Sequence, residues 1–439
     1  MKGEDEVTIA QTRVPEQRVA EAVRSVLPPA VRVTAYDGSA DGPDDARVTL
    51  HVKDPRALTH LVLAPGELGL ARGYVSGLLD LETPDHHTAV LELSKDAHVG
   101  DLSWRERLRV LRTLAPEVLH VVEPPPQEVG ARRYLQGLRP HTRRRDAAAV
   151  SHHYDVSNRF YSWVLGPSMA YTCAVYASDS ATLEQAQAAK LDLVCRKLGL
   201  RPGMRLLDVG CGWGGMAVHA AREYGVDVVA VTLSAQQASW GQEQVARLGL
   251  TGQVDLRHAD YRDVREGEFD AISSIGLTEH IGTGQLDAYC SRLASLLRPR
   301  GRLLNHCITR PDDDSPPISR RGFVPRYVFP DGELPGVGRL VAAFGRAGLE
   351  LRHEESLREH YARTCAAWCR NLDAHWDEAV AEVGLGTARV WALYLAGSQL
   401  AFERNGIQLH QLLLVKPDPG GGSGMPLRPD WETQGGQVG

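Results

Sequence analysis

The chain has 439 residues, 43% apolar and 24% charged, which is ordinary globular usage and excludes a mostly disordered or collagen-like protein. That length exceeds what one hydrophobic core usually organises, so a large domain with a smaller companion is expected. Lys plus Arg number 49 against 55 Asp plus Glu, giving −6, and seven irregularly spaced cysteines make no disulfide framework; the balance gives no reason for a nucleic-acid partner and fits a reducing cytoplasm.

Residues 1–10 carry four charges and no apolar stretch, so no signal peptide is expected. Residues 1–100 alternate short strand-like runs, such as 47–52, with Gly/Pro/Asp turns at Asp37-Gly38 and 41–43, the pattern of a small mixed domain. Between 101 and 150 the chain turns basic, with ten arginines against six acids and Pro124-Pro125-Pro126 interrupting any helix. Residues 101–145 are therefore expected to be a linker with a cationic face, weakly drawn to anionic headgroups. Strands then alternate with helical segments over 146–416, the pattern of parallel βαβ units in a doubly wound α/β sheet. The predicted strands are 205–209, 226–231, 254–258, 269–275 and 302–308. Segment 390–402 is the most apolar run and is too short to span a bilayer, so a protein soluble or at most peripheral to a membrane is expected. Residues 417–439, with glycines at 420–422 and 424, are expected to be a disordered tail.

The predicted strand 205–209 runs into Gly210-Cys211-Gly212-Trp213-Gly214-Gly215, which opens a predicted helix over 216–224. Glycines suit a sharp turn where a ligand approaches the backbone. The spacing alone satisfies the dinucleotide pattern. A nicotinamide site, however, expects an acid at the end of the second strand to hold a ribose, and Thr232-Leu233-Ser234 stand there instead. Asp208 before the loop, and Asp260-Tyr261 after the third strand, suit S-adenosylmethionine: the carboxylate would hold an adenine amino group and the ring would cover the base. A methyltransferase is favoured over a dehydrogenase or a purely structural glycine turn.

Further segments carry a resemblance. Tyr154-Asp155 lies within 153–158, Tyr171 and Cys173 within 169–176, Thr232 and Gln237 within 232–237, Glu279-His280 within 279–282, Tyr361 within 360–364, and His410-Gln411 within 408–411. With 326–335 they form a series that resembles the cyclopropane-fatty-acyl-phospholipid synthases and the related mycolic acid cyclopropane synthases from about residue 150 to 416. Gly66-Glu67-Leu68-Gly69 and 74–77 are similar to the longer, phospholipid-acting members. The resemblance implies a class I S-adenosylmethionine-dependent methyltransferase domain, Rossmann-like, with a smaller lipid-associated N-terminal α+β domain. It also implies transfer of a methyl group to a cis double bond of an acyl chain in a phospholipid.

An alkene is a poor nucleophile, and its attack on the sulfonium methyl leaves a carbocation on the chain; loss of a proton from the added methyl closes a cyclopropane. A strong base is hard to keep ionised in an apolar channel. The resemblance implies bicarbonate as general base, held by Cys173, Glu279, His306, the backbone of Ile308, and Tyr361. It implies cofactor contacts from Tyr171, Thr172, Gly210, Gly212, Thr232, Leu233, Gln237 and Tyr261, beside the candidate Asp260. Tyr154 and Tyr171 offer aromatic faces to a passing cation. The implied partners are an unsaturated phospholipid met at the inner face of the membrane, a second copy of the chain and, for an alternative outcome, a flavin-dependent reductase.

Taken singly, Cys173 reads as a small buried hydrophobe and His306 as a structural strand histidine. Cys365 and Cys369 read as core, and no metal site is expected. Leu78-Leu79-Asp80 stand where the family carries paired tryptophans, and Thr278, Asn305 and Cys307 depart from the family's apolar and threonine residues. These three substitutions motivate the alternative, in which a hydride shift precedes proton loss, leaving an exocyclic methylene that a reductase converts to a methyl branch. A catalytically silent lipid-binding protein and an NAD-dependent oxidoreductase are the rival classes; the joint presence of Cys173, Glu279, His306 and Tyr361 disfavours the first, and Thr232 the second.

Overall fold

The structure is a computed structural model and describes residues 19–64, 66–95, 122–128, 156–314, 319, 322–330 and 332–431. The chain divides into two compact units, Met1–Pro125 and Pro126–Gly439. Tyr154 and most of the basic 101–145 segment lie outside the described residues.

In the first unit, strands β1 (Arg32–Ala35), β2 (Ala40–Asp41), β3 (Thr49–Val52) and β4 (Leu79–Glu82) form a sheet in the order β2-β1-β3-β4, with β1 and β3 parallel and the other pairs antiparallel. Alternation along β3 turns Leu50 and Val52 inward, where they meet Val33, Leu79 and helix residues Ala20, Val23, Ala57 and Leu58. Leu79, at the position of an expected tryptophan, is wholly buried in this core. A Cβ on Gly69 would lie 2.4 Å from the Ala64 carbonyl and 2.6 Å from that of His60, so the glycine motif lets helix Glu67–Val75 close against helix Arg56–Leu63.

The second unit is built on seven strands: β5 (Arg205–Val209), β6 (Asp227–Thr232), β7 (Val254–His258), β8 (Phe269–Ile275), β9 (Leu297–Thr309), β10 (Glu350–Ser356) and β11 (Gln408–Val415), in the order β10-β11-β9-β8-β5-β6-β7. Pairing is parallel from β9 to β7, and β11 runs antiparallel to both its neighbours. Three of the five predicted strands have their expected bounds, β6 is shifted by one residue, and β9 begins five residues early. The other two strands were not anticipated. β10 is a charged edge strand, Glu350-Leu-Arg-His-Glu-Glu-Ser356, with no apolar alternation to betray it.

Alternate strand residues feed opposite faces. Leu206, Leu304 and Leu413 meet helices Leu183–Leu198, Gly215–Tyr224 and Ala235–Arg247; Leu207, Leu303 and Leu412 meet helices Leu286–Leu296 and Val337–Arg346. Burial on both faces explains the near-continuous apolar runs that made these strands readable. The chain enters at β5, runs outward to β6 and β7, then returns to β8 on the other side of β5. The reversal leaves a crevice at the carboxyl ends of β5 and β8, where open α/β sheets bind ligands. Helices Arg358–Ala374 and Leu385–Glu403 pack on each other, and the former also on helix Asn158–Leu165.

The expected disordered tail differs from what is found over 417–431. The Asp418 carboxylate accepts the amides of Gly420 and Gly422 and pairs with Arg300 at 2.6 Å, while Met425 and Trp431 pack against the domain core. The glycine run is thus a turn wound around an aspartate. Among the described residues, no helix is long and apolar enough to cross a membrane.

Gly214 has φ +84°, and a Cβ there would lie 2.7 Å from Leu256 Cδ1. Gly214→Ala should therefore lower unfolding free energy by roughly 2 kcal/mol or more. Gly345→Ala, in a helix with open space around it, should be neutral or stabilise by up to about 1 kcal/mol. Paired urea titrations check the contrast.

Candidate active site

Two cavities meet beyond the carboxyl ends of the central strands. The first, about 140 Å³, is lined by the glycine loop from Gly210 to Trp213, by Thr232, Leu233 and Gln237 after β6, by Tyr261 after β7, and by Tyr171 and Thr172. Eight of the nine expected cofactor residues therefore share one cavity. Asp260 does not line it: its carboxylate is held by the Arg262 side chain at 2.6–3.0 Å and by the Arg262 amide at 2.9 Å. A carboxylate clamped this way caps the turn after β7 and leaves Tyr261 to face the cavity.

Asp208 and Lys190 also line this cavity, both almost wholly buried. Asp208 Oδ1 accepts from Ser273 Oγ at 2.7 Å, and burial pushes its carboxyl up to about 6. Lys190 Nζ donates to Thr172 Oγ1 at 3.0 Å; burial pushes its ammonium down to about 8, against the upward pull of Cys173 and Asp208.

The second cavity, about 270 Å³, is predominantly apolar and aromatic. Tyr171, Thr172, Gly276 and His280 line both cavities and form the neck between them. At this neck Gly276 has φ +70°, and a Cβ on it would press within 3.0 Å of Thr172 Cγ2. Helix Arg358–Ala374 contributes Tyr361, Cys365 and Trp368, and helix Leu385–Glu403 contributes Tyr394, Ser398 and Phe402. Tyr361 stacks on Phe402 with centroids 4.4 Å apart and meets Trp368 edge-on at 5.9 Å; Trp368 lies 5.3 Å from Tyr171. From the sequence, Tyr361 is singled out but Trp368, Tyr394, Ser398 and Phe402 are not, although 361, 365 and 368 share one helical face, as do 394, 398 and 401. Cys365, expected in the core, lines this cavity.

Glu279, His306, Ile308 and Tyr361 line this apolar cavity at its polar end. Glu279 Oε1 accepts the Ile308 amide at 2.8 Å, and Oε2 is buried without a hydrogen-bond partner. Burial pushes this carboxyl up to about 7, opposed by its backbone hydrogen bonds. His306 Nδ1 faces Gln411 Nε2 at 3.1 Å, whereas Nε2 is buried without a partner. Burial, and then the charges of Lys190 and Lys197, hold this imidazole well below its ordinary range, so it is neutral.

Two of the expected oxyanion ligands are engaged within the protein. The Ile308 amide is engaged by Glu279 and fixes that carboxylate instead of being left for an oxyanion. Cys173 is fully buried but does not line the cavity; its Sγ lies 3.1 Å from the Ala174 carbonyl and 3.7 Å from that of Leu357, and burial pushes its thiol well up. Burial therefore keeps it protonated at neutral pH.

The three family departures also fall elsewhere than expected. Asn305 and Cys307 alternate with His306 along β9 and so face the opposite side of the sheet, Cys307 within the apolar core. Asn305 Nδ2 donates to Thr278 Oγ1 at 2.7 Å and to the Tyr289 hydroxyl at 3.2 Å. Thr278 and Asn305 are thus a matched buried pair, and none of the three lines either cavity.

Residues 141–412 match the family model described as mycolic acid cyclopropane synthetase. The chain is 53% identical over 407 residues to a probable fatty acid methyltransferase of Mycobacterium tuberculosis, covering 92% of this chain and 95% of that one. It is 33% identical to the cyclopropane-fatty-acyl-phospholipid synthase of Escherichia coli K12, covering 87% and 90%. A mycolic acid cyclopropane synthase crystallised with SAH and CTAB superposes with a TM-score of 0.58 at 35% identity, covering 63% of this chain and 99% of that one.

Because the folded carboxyl of Glu279 titrates near 7 against an ordinary 4.5, the native state binds more protons than the unfolded chain between these values. Its contribution is present below about 4.5 and is lost as pH rises through about 7, by up to roughly 3 kcal/mol. Glu279→Gln removes that slope, so denaturation at pH 5 and pH 8 should show the variant gaining stability relative to the parent as pH rises.

Proposed function

The chain belongs to the mycolic acid cyclopropane synthetase family and is an S-adenosylmethionine-dependent methyltransferase that modifies lipid. From that premise we propose that it methylates a cis double bond of an unsaturated acyl chain carried in a phospholipid, closing a cyclopropane. The observation that carries this reading is the pair of cavities joined at Tyr171, Thr172, Gly276 and His280: one at the carboxyl ends of the sheet, the other lined by apolar and aromatic side chains that suit a hydrocarbon. Similarity to the phospholipid synthase over 87% of the chain, against 61–64% for the mycolate enzymes, supports a phospholipid-borne acyl chain met at a membrane surface.

S-adenosylmethionine, when bound, supplies the electrophilic sulfonium methyl. The neck side chains bring it against the alkene, and the faces of Tyr171, Trp368, Tyr361 and Phe402 surround the carbon on which positive charge develops. Apolar walls exclude water, which would otherwise quench that cation as an alcohol. The proton must then leave the transferred methyl. Glu279, poised near 7, can accept it at neutral pH. The unpartnered Glu279 Oε2 and His306 Nε2, with Tyr361 nearby, also fit a small oxyanion. Bicarbonate is the group proposed here, and when bound it supplies the general base.

A second ending has specific support. Relatives at 53% and 41% identity carry the broader name of fatty acid methyltransferase. If a hydride moves to the cationic carbon before proton loss, the same methyl gives up its proton and the product is an exocyclic methylene, which a flavin-dependent reductase partner would turn into a methyl branch. Both endings use the same base in the same place, so cavity geometry alone is common to them.

Incubation with S-adenosylmethionine and a monounsaturated phospholipid should yield an acyl chain heavier by one CH₂. Proton NMR separates upfield cyclopropane signals from downfield vinylidene signals. Absence of any heavier product would contradict the whole reading. Glu279→Gln should lower turnover by roughly a hundredfold or more, with S-adenosylmethionine binding retained.

A further inference from the structure

A row of polar residues crosses the sheet toward the oxyanion pocket, and the proposed function gives no role to most of it. In the strand register, Glu355 of β10 stands opposite Gln411 of β11, and Gln411 stands opposite His306 of β9. All three lie on the face covered by helix Leu183–Leu198, whose penultimate residue, Lys197, is wholly buried. Lys197 Nζ pairs with the Glu355 carboxylate and donates to Gln411 Oε1 at 2.7 Å. An ammonium only donates, so it fixes which end of the Gln411 amide is oxygen. The other end, Nε2, lies 3.1 Å from His306 Nδ1 and can only donate to it. A neutral ring that accepts at Nδ1 carries its hydrogen at Nε2, the atom left without a partner on a ring lining the apolar cavity.

Resting on the oxyanion reading of that cavity, we propose that Lys197 and Gln411 are positioning residues that lock His306 in its Nε2–H tautomer, giving the site a hydrogen-bond donor without an added charge. The arrangement solves a specific difficulty. A cationic imidazole would repel the carbocation formed on the acyl chain, and the opposite tautomer would present a lone pair to the anion. Two buried side chains and one carboxylate at the sheet edge exclude both states. Lys197 and Gln411 are separated from His306 by 109 and 105 residues, so no local motif carries the relay.

Selective ¹⁵N-histidine NMR of the intact protein, assigned with His306→Gln, should show a protonated Nε2 and an unprotonated Nδ1 on His306 near neutral pH. The reverse pattern, or an imidazolium, overturns the proposal. Gln411→Met should reduce turnover at low bicarbonate by roughly tenfold, the size expected for one buried hydrogen bond, with the KM for S-adenosylmethionine unchanged. Added to His306→Gln, it should cause no further loss. Lys197→Gln, which keeps a donor to the Gln411 oxygen, should retain more activity than Lys197→Met. Equal losses from Gln411→Met with and without His306 would show that Gln411 acts on packing alone and overturn the relay. Full activity in His306→Gln would instead remove the oxyanion reading itself, an outcome distinct from a failed relay.

Discussion

Charge has to be handled where almost no water can help. The methyl acceptor is a hydrocarbon, so the cavity that holds it must be apolar, yet the reaction creates a cation there and needs a base to end it. Isolated buried charges are costly, and the acyl cavity largely avoids them, the buried ammonium of Lys190 lying instead in the cofactor cavity, where it donates to Thr172 Oγ1. Glu279 sits near its midpoint at neutral pH, His306 is neutral, Cys173 is held as a thiol, and the fixed charges of Lys197 and Glu355 are paired with each other. What remains are dipoles and aromatic faces, which stabilise charge as it forms without demanding a permanent counterion.

The sheet supplies the alignment. Parallel strands β5 to β8 deliver their carboxyl ends to one crevice, and β9 passes alongside with His306 on one face and Asn305 and Cys307 on the other. A shift of one residue in β9 would exchange those faces, placing an amide and a thiol in the cavity and the imidazole in the core. The pairing of Asn305 with Thr278 and Tyr289 stabilises the observed register by giving the buried amide nitrogen its acceptors. The departures at 278, 305 and 307 thus bear on how Glu279 and His306 are held, and do not alter the surface that the acyl chain touches.

Much of this was legible in the sequence wherever chemistry is carried by contiguous residues. Glycines 210, 212 and 214 after an apolar run, and Glu279 just past another, announce loops at strand ends, and most cofactor residues sit in such loops. Three kinds of feature were not legible. Asp260 and Ile308 have the right identities in the right places, but Arg262 and Glu279 compete for their polar atoms, and only coordinates reveal such competition. The aromatic wall comes from two helices whose faces can be read singly but whose meeting cannot. The Lys197–Gln411–His306 row depends on strand register across β9 and β11, and β10 beside them is too charged to be read as a strand at all.

The central claim is that the transferred methyl itself surrenders a proton within the Glu279 and His306 pocket. Supplying S-adenosylmethionine with a fully deuterated methyl tests it most directly, by mass spectrometry of the modified acyl chain. The account predicts a product that has lost one deuteron from that group, under either ring closure or methylene formation. A product retaining all three deuterons would mean that the cation is quenched by another route, and would contradict the assignment of this pocket as the proton-accepting site.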